Sequence, residues 1–419
     1  MLNTLVTYLK EKGIDYRIKE FETISNEFYF IGNKLDMNRK NDVSYIELTV
    51  YIKNEDGTLG VASEQLHPTM SEEEMKSAVE NLIYAASFAK NPVYELAEAV
   101  ESHTENKIDS LEIAKEIIET IQSKDTGNFS AYEIFVKEAK IHLLNSKGLD
   151  VSYTNENTFV ELIINAKDNT QEIELYRSFN FGECNTKDLA KKIDDAIQLS
   201  NYRLEAIPTP NLKKGKVLLC GNNVVEFLDY YAQLTNTRMV AMKASPYQIN
   251  EPIMSESTGD KITLKGIKEL PYSGSNTPFD SDGQEIKDEV LIDNNICKHY
   301  WGNLQFNQLM DIKSCSYSNF VFEGGSKTVA ELREGTYLEV WETSGLSVDT
   351  FSGSFSVEIR LGFYFDGEKE IPVTGGSIGG MIKDVEKSFY LSKETVQYNN
   401  HIVPFLISLD NVGITGTEK

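Results

Sequence analysis

One segment near the middle of the chain brings side chains capable of chemistry to a single helix face. The pattern predicts a buried strand at Val217–Leu219, a Gly-Asn-Asn turn at 221–223, and a helix from Val224 to about Leu234. Polar residues spaced three, four and seven positions apart share one face of this helix: Glu226, Asp229, Tyr230 and Gln233. Two carboxylates on one face can bind a metal ion or accept a proton. The face is therefore either the floor of a site or a solvated helix surface.

Length and composition limit the classes of protein that can carry this segment. A chain of 419 residues is too long for one compact core and predicts two domains. The hydrophobic content of 40%, with 21 tyrosines and 20 phenylalanines, is enough to bury a core. The formal charge of −24 argues against direct binding to nucleic acid or to anionic lipid.

Targeting and cysteine patterns favour the cytoplasm. The first twelve residues predict an amphipathic helix that lacks the features of a signal peptide. No apolar run approaches the roughly 20 residues needed to cross a bilayer. The four cysteines contain no CxxC pair, so we expect neither a zinc knuckle nor a disulfide framework. A reducing compartment fits this usage.

The first half of the chain contains an internal duplication. Tyr45–Ile52 recurs as Phe159–Ala166, and subtracting 45 from 159 gives an offset of 114 residues. The same offset relates a predicted helix beginning near Ser71 to one beginning near Asn185, each with a plausible capping residue. The polar turn Lys124–Asn128 leads into the second copy. Each copy is predicted to form several antiparallel strands followed by a helix.

This duplication predicts the domain boundaries. We expect an N-terminal α/β domain over residues 1–205, built from repeats at about 14–90 and 128–204, and a C-terminal domain over 206–419. The linker Ala206–Asn211 contains two prolines one residue apart, which predicts a stiff, extended spacer.

The second half is strand-rich. Short apolar runs separated by Gly, Asn and Asp predict strands at Lys261–Lys265, Val290–Asp293, Phe320–Glu323, Thr336–Val340, Phe355–Phe365 and Ile402–Leu409. This pattern is typical of a mostly antiparallel curled sheet or barrel. The fold class is therefore α+β, with a duplicated strand-rich N-terminal domain and a barrel-like C-terminal domain.

Four segments of the second half together resemble one protein family. Asn276–Gly283, Ser318–Gly325, Thr350–Ser356 and Pro372–Gly380 occur in the order found in the TldD/PmbA family, once named modulators of DNA gyrase. The resemblance extends over nearly the whole chain. It implies a relationship to zinc peptidases, whose catalytic TldD-type subunits carry a His-Glu-x-x-x-His motif on the helix after a buried strand and a cysteine ligand near the C-terminus. PmbA-type (TldE) subunits lack the motif and pair with the catalytic subunit.

The resemblance places the degenerate motif on the central helix. The two histidines correspond to Val225 and Tyr230, and the glutamate corresponds to Glu226. The stretch Tyr398–Phe405 is similar to the segment that carries the cysteine ligand, but it holds no cysteine, and His401 is the one candidate ligand there. Catalytic zinc requires three protein ligands and an open position. The similarity is therefore to the branch without the motif.

Three functional hypotheses follow. The first is a PmbA/TldE-like, non-catalytic subunit that needs no cofactor of its own, pairs with a zinc-bearing TldD-like subunit or with itself, and helps to enclose an unfolded peptide, with Asp229 and His401 as candidate substrate-binding residues. The second is a divergent peptidase that uses Glu226 with Asp229 or His401 as ligands. The third is a peptide-binding or assembly protein without a protease partner.

Overall fold

Three β-sheets organise the chain in a computed structural model, which describes residues 1–106, 108–125 and 127–417. The sheets contain seven, six and nine strands. Thr126, within the predicted turn Lys124–Asn128, lies outside the described residues.

The first half forms the seven-stranded sheet and four helices. The helices are α1 (Leu2–Lys12), α2 (Glu72–Ala86), α3 (Ser110–Ser123) and α4 (Thr186–Glu205). The strands are β1 (Asp15–Ile31), β2 (Lys34–Lys53), β3 (Leu59–Leu66), β4 (Glu101–His103), β5 (Phe129–Asn145), β6 (Asp150–Lys167) and β7 (Glu172–Phe181). Their order in the sheet is β3-β2-β1-β5-β6-β4, and β7 also pairs with β6.

The two copies of the repeat have the same order of elements. β1 and β5 begin at Asp15 and Phe129, and α2 and α4 begin at Glu72 and Thr186, so both pairs are 114 residues apart. The predicted caps are confirmed, because the side chain of Ser71 accepts a hydrogen bond from the backbone N–H of Glu74 and that of Asn185 accepts one from Asp188. The helices of each copy pack on the same sheet face, where Ile18 and Phe30 of β1 contact the apolar clusters of the first and second copy respectively.

The second half forms the other two sheets. Its helices are α5 (Asn222–Leu234), α6 (Thr237–Ala241), α7 (Leu304–Leu309), α8 (Val329–Leu332) and α9 (Ile382–Val385). Its strands are β8 (Ile207–Pro208), β9 (Lys213–Cys220), β10 (Leu264–Ile267), β11 (Glu289–Asp293), β12 (Ile296–Cys297), β13 (Asn319–Phe322), β14 (Tyr337–Thr343), β15 (Ser347–Val348), β16 (Ser354–Phe365), β17 (Glu370–Thr374), β18 (Ser377–Met381), β19 (Tyr390–Leu391), β20 (Thr395–Tyr398), β21 (His401–Pro404) and β22 (Leu406–Thr415).

Five strands of the nine-stranded sheet close into a barrel. Their order is β14-β9-β22-β18-β16, and an additional pairing between β16 and β14 completes the ring. The six-stranded sheet has the order β12-β11-β10-β13-β21-β20. The α+β fold class and the barrel-like C-terminal half predicted from the sequence are confirmed.

The segment Ile402–Leu409 was predicted as one strand, and this prediction is wrong. The chain leaves β21 after Pro404, bends at Phe405, and enters β22 in the barrel. Pro404 carries no backbone N–H and cannot donate to a strand ladder, which suits it to the end of a strand. The segment thereby joins the two sheets of the C-terminal half.

The linker is not a free spacer. Ile207 and Pro208 pair in parallel with Val373 and Thr374 of β17, so the linker extends the barrel sheet by one short strand. The extended backbone that the prolines impose is compatible with this pairing.

Apolar packing joins the elements of the C-terminal half. Its largest cluster includes buried residues of the barrel, of α5 and of the six-stranded sheet, among them Leu219, Phe227, Leu264 and Phe355. The two halves of the chain also meet, because Arg17 of β1 forms an ion pair with Asp282. Within the described residues no helix is long and apolar enough to cross a membrane.

Truncation of Arg333 tests the closing strand of the barrel. Two nitrogens of Arg333 donate to the Glu339 carboxylate of β14, at 2.7 and 2.6 Å, and that side chain is 2% exposed. Arg333→Ala leaves the carboxylate buried with the Trp341 indole N–H as its remaining donor. We expect the free energy of unfolding to fall by about 2–3 kcal/mol, less than for a fully buried pair because Arg333 is partly exposed. Urea denaturation measures the change.

The control is Lys115→Ala, which removes an ion pair on the exposed face of α3. This pair is screened by water, so its loss should leave the urea midpoint nearly unchanged. Equal effects of the two substitutions would contradict the role given to Arg333.

Candidate functional site

The central helix begins directly after a barrel strand. Gly221, at φ 65° and ψ −147°, makes the turn alone, and α5 already starts at Asn222, so the predicted turn over 221–223 is too long. The reason is a tertiary contact. The side-chain amide of Asn223 donates to the carbonyls of Cys220 and Trp341, at 3.0 and 3.2 Å, and its oxygen accepts from the Thr343 hydroxyl at 2.7 Å.

The apolar face of α5 holds the helix in the core. Val224, Phe227, Leu228 and Tyr231 have no exposed surface and belong to the cluster shared by the two sheets. Val225 is partly buried against the same cluster. These contacts fix the orientation of the opposite, polar stripe.

Glu226 binds a backbone group from another part of the chain. Its Oε2 accepts from the backbone N–H of Leu346 at 2.7 Å, and its Oε1 accepts from the Asn222 amide at 3.0 Å. Partial burial raises the pKa of this carboxyl. Both oxygens are engaged, and Glu226 holds the loop after β14 against the helix.

Asp229 and Tyr230 are also withdrawn from water. Asp229 accepts a hydrogen bond from Gln233 at 3.2 Å, and burial raises the pKa of its carboxyl. Burial likewise raises the pKa of the Tyr230 hydroxyl, with Glu386 and Asp349 contributing. The tyrosine ring meets that of Tyr231 edge-on, with 5.2 Å between the ring centroids. The stripe is therefore half-buried and not a fully solvated surface.

His401 lies on β21, which packs against α5. Its ring stacks on Phe320 with 5.6 Å between the ring centroids, and its Nδ1 is 3.1 Å from Oδ1 of Asn400. Burial lowers the pKa of the imidazole to about 4, so the ring is neutral at physiological pH. Its Nε2 is buried without a hydrogen-bond partner among the described residues.

Sequence reasoning missed a group of buried polar side chains near α5. The hydroxyls of Tyr231 and Tyr247 have pKa values raised by burial and then by neighbouring groups that include Glu386. Burial also raises the pKa of the Glu386 carboxyl. Tyr231 lies on the apolar face of α5, and no local pattern connects it with Glu386, 155 positions further along the chain.

Comparison with known proteins identifies the relatives of this site. Residues 213–416 match the family model described as the PmbA/TldA metallopeptidase C-terminal domain, and this match includes the barrel and α5. Residues 213–416 are a TldD/PmbA-family domain. The second half of the chain thus carries the family domain, and the resemblance inferred from the sequence is confirmed.

Two curated relatives share part of the chain. An uncharacterized protein of Methanocaldococcus jannaschii is 24% identical over 276 residues, which are 62% of this chain and 61% of that protein. A protein of Haemophilus influenzae named metalloprotease PmbA homolog is 25% identical over 150 residues, 34% of this chain and 33% of that protein. The matched segment thus spans about three fifths and one third of the relatives' lengths.

Solved structures of the TldD/PmbA family share the fold over the full length. TldE from Thermococcus kodakarensis superposes with a TM-score of 0.77 at 19% identity, covering 99% of this chain and 100% of that one. A candidate modulator of a DNA gyrase from Thermotoga maritima gives a TM-score of 0.76 at 16% identity, covering 99% of both chains. At these identities the likeness shows a common fold.

The donor set on α5 does not fit the zinc of the TldD/PmbA catalytic subunits. Val225 has no donor atom, and the raised pKa of Tyr230 keeps its hydroxyl protonated. The oxygens of Glu226 already accept hydrogen bonds from Leu346 and Asn222. Asp229 accepts a hydrogen bond from Gln233, and Nδ1 of His401 faces Asn400, so that His401 offers only Nε2. These residues do not provide three converging zinc ligands.

The role of Glu226 as a structural acceptor can be tested by two substitutions. Glu226→Gln retains an oxygen that accepts from the Leu346 N–H, so the free energy of unfolding should change little. Glu226→Ala leaves that N–H without its acceptor and should lower the free energy by about 1–2 kcal/mol. Urea denaturation of both variants separates the loss of the acceptor from the loss of the charge. Equal destabilisation by both variants would contradict this role.

The buried carboxyl of Asp229 makes stability depend on pH. Its pKa in the folded chain lies above the ordinary value of 3.8, so folding opposes its ionisation. Below about pH 3.8, protonated Asp229 makes its full contribution to the free energy of unfolding. This contribution is lost as the pH rises through the raised pKa of the folded chain. Asp229→Asn should therefore stabilise the protein at pH 7, and the gain should vanish near pH 4. Thermal melts across this range check the trend, and a gain independent of pH would contradict it.

Proposed function

We propose that this chain is the non-catalytic, PmbA/TldE-like subunit of a heteromeric zinc peptidase that acts on unfolded peptides or peptide precursors. In this proposal a TldD-like partner supplies the zinc ion and the general base. This chain forms part of the enclosure that receives the peptide. The gyrase connection in the names of its relatives is then indirect, because the formal charge of −24 opposes contact with DNA phosphates.

The proposal rests on one observation: the helix α5 is in place, but it lacks the histidines of the family motif. α5 keeps its place after a barrel strand of the family domain, but Val225 and Tyr230 stand where the resemblance places imidazoles. The remaining carboxylate, Glu226, is committed to the Leu346 backbone. A helix that is present in this position without zinc ligands is what we expect of a subunit that has a structural role in the complex and no catalytic one.

Binding of an extended peptide is supported by an unpaired strand edge. β3 pairs with β2 only from Ile46 to Lys53, so the preceding part of β2, from Lys34 onwards, pairs with β1 alone among the described strands. Backbone groups of such an edge can form main-chain hydrogen bonds with an added strand. Backbone recognition is tolerant of sequence, as a peptidase of unfolded substrates requires.

The cellular setting in the proposal is the cytoplasm. All four cysteines are free thiols: Cys184, Cys220, Cys297 and Cys315. Free thiols persist where the compartment is reducing. Pairing with a TldD-like subunit is the proposed active state, and a homodimer of this chain is the proposed state in the absence of that partner.

Reconstitution with a motif-bearing TldD-like subunit from the same genome tests the proposal. We expect β-casein, an unfolded protein substrate, to be cleaved by the mixture and not by this chain alone. Changing the motif glutamate of the partner to glutamine should abolish cleavage. Glu226→Gln in this chain should leave the rate within about twofold, because Glu226 contributes no general base. Size-exclusion chromatography of the mixture should show the heteromer.

Zinc analysis of the isolated chain distinguishes the proposed non-catalytic subunit from a divergent peptidase. Glu226→Gln and Tyr230→Phe should leave its zinc content unchanged. Cleavage of β-casein by the isolated chain, together with loss of zinc and activity in either variant, would overturn the proposal in favour of a divergent peptidase. Absence of any complex with the TldD-like subunit would favour a separate peptide-binding protein.

A further inference from the structure

The two halves of the chain meet beside Glu156, which lies on β6 of the N-terminal sheet. The backbone N–H of Gly182, the residue after β7, donates to the carbonyl of Tyr272 at 2.9 Å. A Cβ atom at Gly182 would lie 2.9 Å from the Ser273 carbonyl oxygen and 3.5 Å from the Glu156 carbonyl oxygen. The loop Tyr272–Gly274 of the second half therefore packs directly against β6 and the end of β7.

The same loop is bonded to the six-stranded sheet. The Ser273 hydroxyl donates to Oδ1 of Asn319 on β13 at 2.7 Å, and both side chains are buried. The backbone N–H of Gly274 donates to Oδ1 of Asn399, in the turn between β20 and β21, at 3.3 Å. β13 in turn pairs with β21, the strand that carries His401. A movement of the loop would therefore act on the sheet that packs against α5.

The Glu156 side chain lies among like charges at this contact. Glu138 of β5 is directly opposite Glu156 in the strand pair. Thr158 of β6 pairs with Phe181 of β7, so continuing the register past Phe181 brings Glu183 beside Glu156. Like charges that face each other across a strand pair are destabilising. Three carboxyl groups thus meet where the two halves touch.

Burial adds to the effect of these charges. In the described part of the chain, Oε1 of Glu156 is buried and has no hydrogen-bond partner. The Thr158 hydroxyl, two positions along β6 on the same sheet face, is buried without a partner as well. Burial, followed by the charges of Glu183 and Glu138, raises the pKa of the Glu156 carboxyl to about 7. A protonated carboxyl can donate a hydrogen bond to a hydroxyl, and a carboxylate cannot.

The helices packed on this side of the sheet add further acidic groups. Burial raises the pKa of the Cys184 thiol to about 12, with contributions from Glu116 of α3, from Glu156 and from Asp188 of α4. The thiol is therefore neutral at physiological pH. Ionisation of Glu156 adds a negative charge to a region where carboxyl groups come from β5, α3, α4 and the segment after β7.

We propose that Glu156 is a proton-dependent switch of the contact between the two halves of the chain. The protonated carboxyl is compatible with its buried position. The carboxylate is repelled by Glu138 and Glu183 and favours an opened contact in which water reaches it. The stabilisation of the closed contact is complete below the ordinary pKa of 4.5 and is lost as the pH rises through about 7. The inference concerns this chain alone and does not depend on a peptidase partner.

Hydrogen exchange of the full-length chain tests the switch. The amide of Gly182 bonds across the contact, and its protection, corrected for the intrinsic exchange rate, can be measured at pH 6 and pH 8 by mass spectrometry with fragmentation. With a pKa of 4.5 in the opened state and about 7 in the closed state, protection should fall about 10-fold between these two pH values. Glu156→Gln cannot ionise and should show equal protection at both.

The matched control is Glu174→Gln, which removes an exposed carboxylate of β7 in the same sheet and should keep the 10-fold response of the parent chain. Equal protection of the parent at pH 6 and pH 8, or a 10-fold response that persists in Glu156→Gln, overturns the inference. Should Glu156→Gln fail to fold by circular dichroism, Glu183→Gln decides. Loss of this like charge should move the midpoint of the response to lower pH, and an unchanged midpoint overturns the switch.

Discussion

Closure of the barrel at β14 is the constraint on which the candidate site depends. β14 pairs in parallel with β9 through Leu338–Val340 and antiparallel with β16, so both neighbours of the closing strand are fixed. β9 leads into α5 through the single residue Gly221. Asn223 then fastens the first turn of α5 to carbonyls at the ends of β9 and β14. The position of the helix thus follows from strand pairing and from hydrogen bonds between the Asn223 side chain and backbone carbonyls.

This arrangement explains how α5 can keep its place in a TldD/PmbA-family domain without carrying histidines. The helix is held by its apolar face, where Phe227 and Leu228 are fully buried, and the motif positions lie outside that set. Val225 and Tyr230 are only partly buried against the same cluster, so they contribute less to the core than the fully buried residues. Glu226 accepts a hydrogen bond from the Leu346 backbone N–H. The fold around α5 therefore does not require histidines on this helix.

Features defined by near neighbours in the chain could be predicted. The helix α5, the caps at Ser71 and Asn185, and the strand-rich second half follow from periodicity and capping chemistry within a few residues. Errors arose where distant segments interact. The run Ile402–Leu409 is apolar except for Ser408, and Pro404 marks the end of its first strand, but nothing in the run shows that the chain enters a different sheet after Phe405. The linker strand depends in the same way on its pairing with β17.

The sequence by itself determined which side chains share the polar stripe of α5 and that this helix carries no histidine. These properties depend on residue identity and on a helical period of about 3.6. Only the tertiary structure decided that Asp229 is buried, that Glu226 binds Leu346 and that His401 stacks on Phe320. The reason is physical: burial, pKa and hydrogen-bond partners depend on groups brought together by sheet register and barrel closure. Glu226 and Leu346, for example, lie 120 positions apart in the chain.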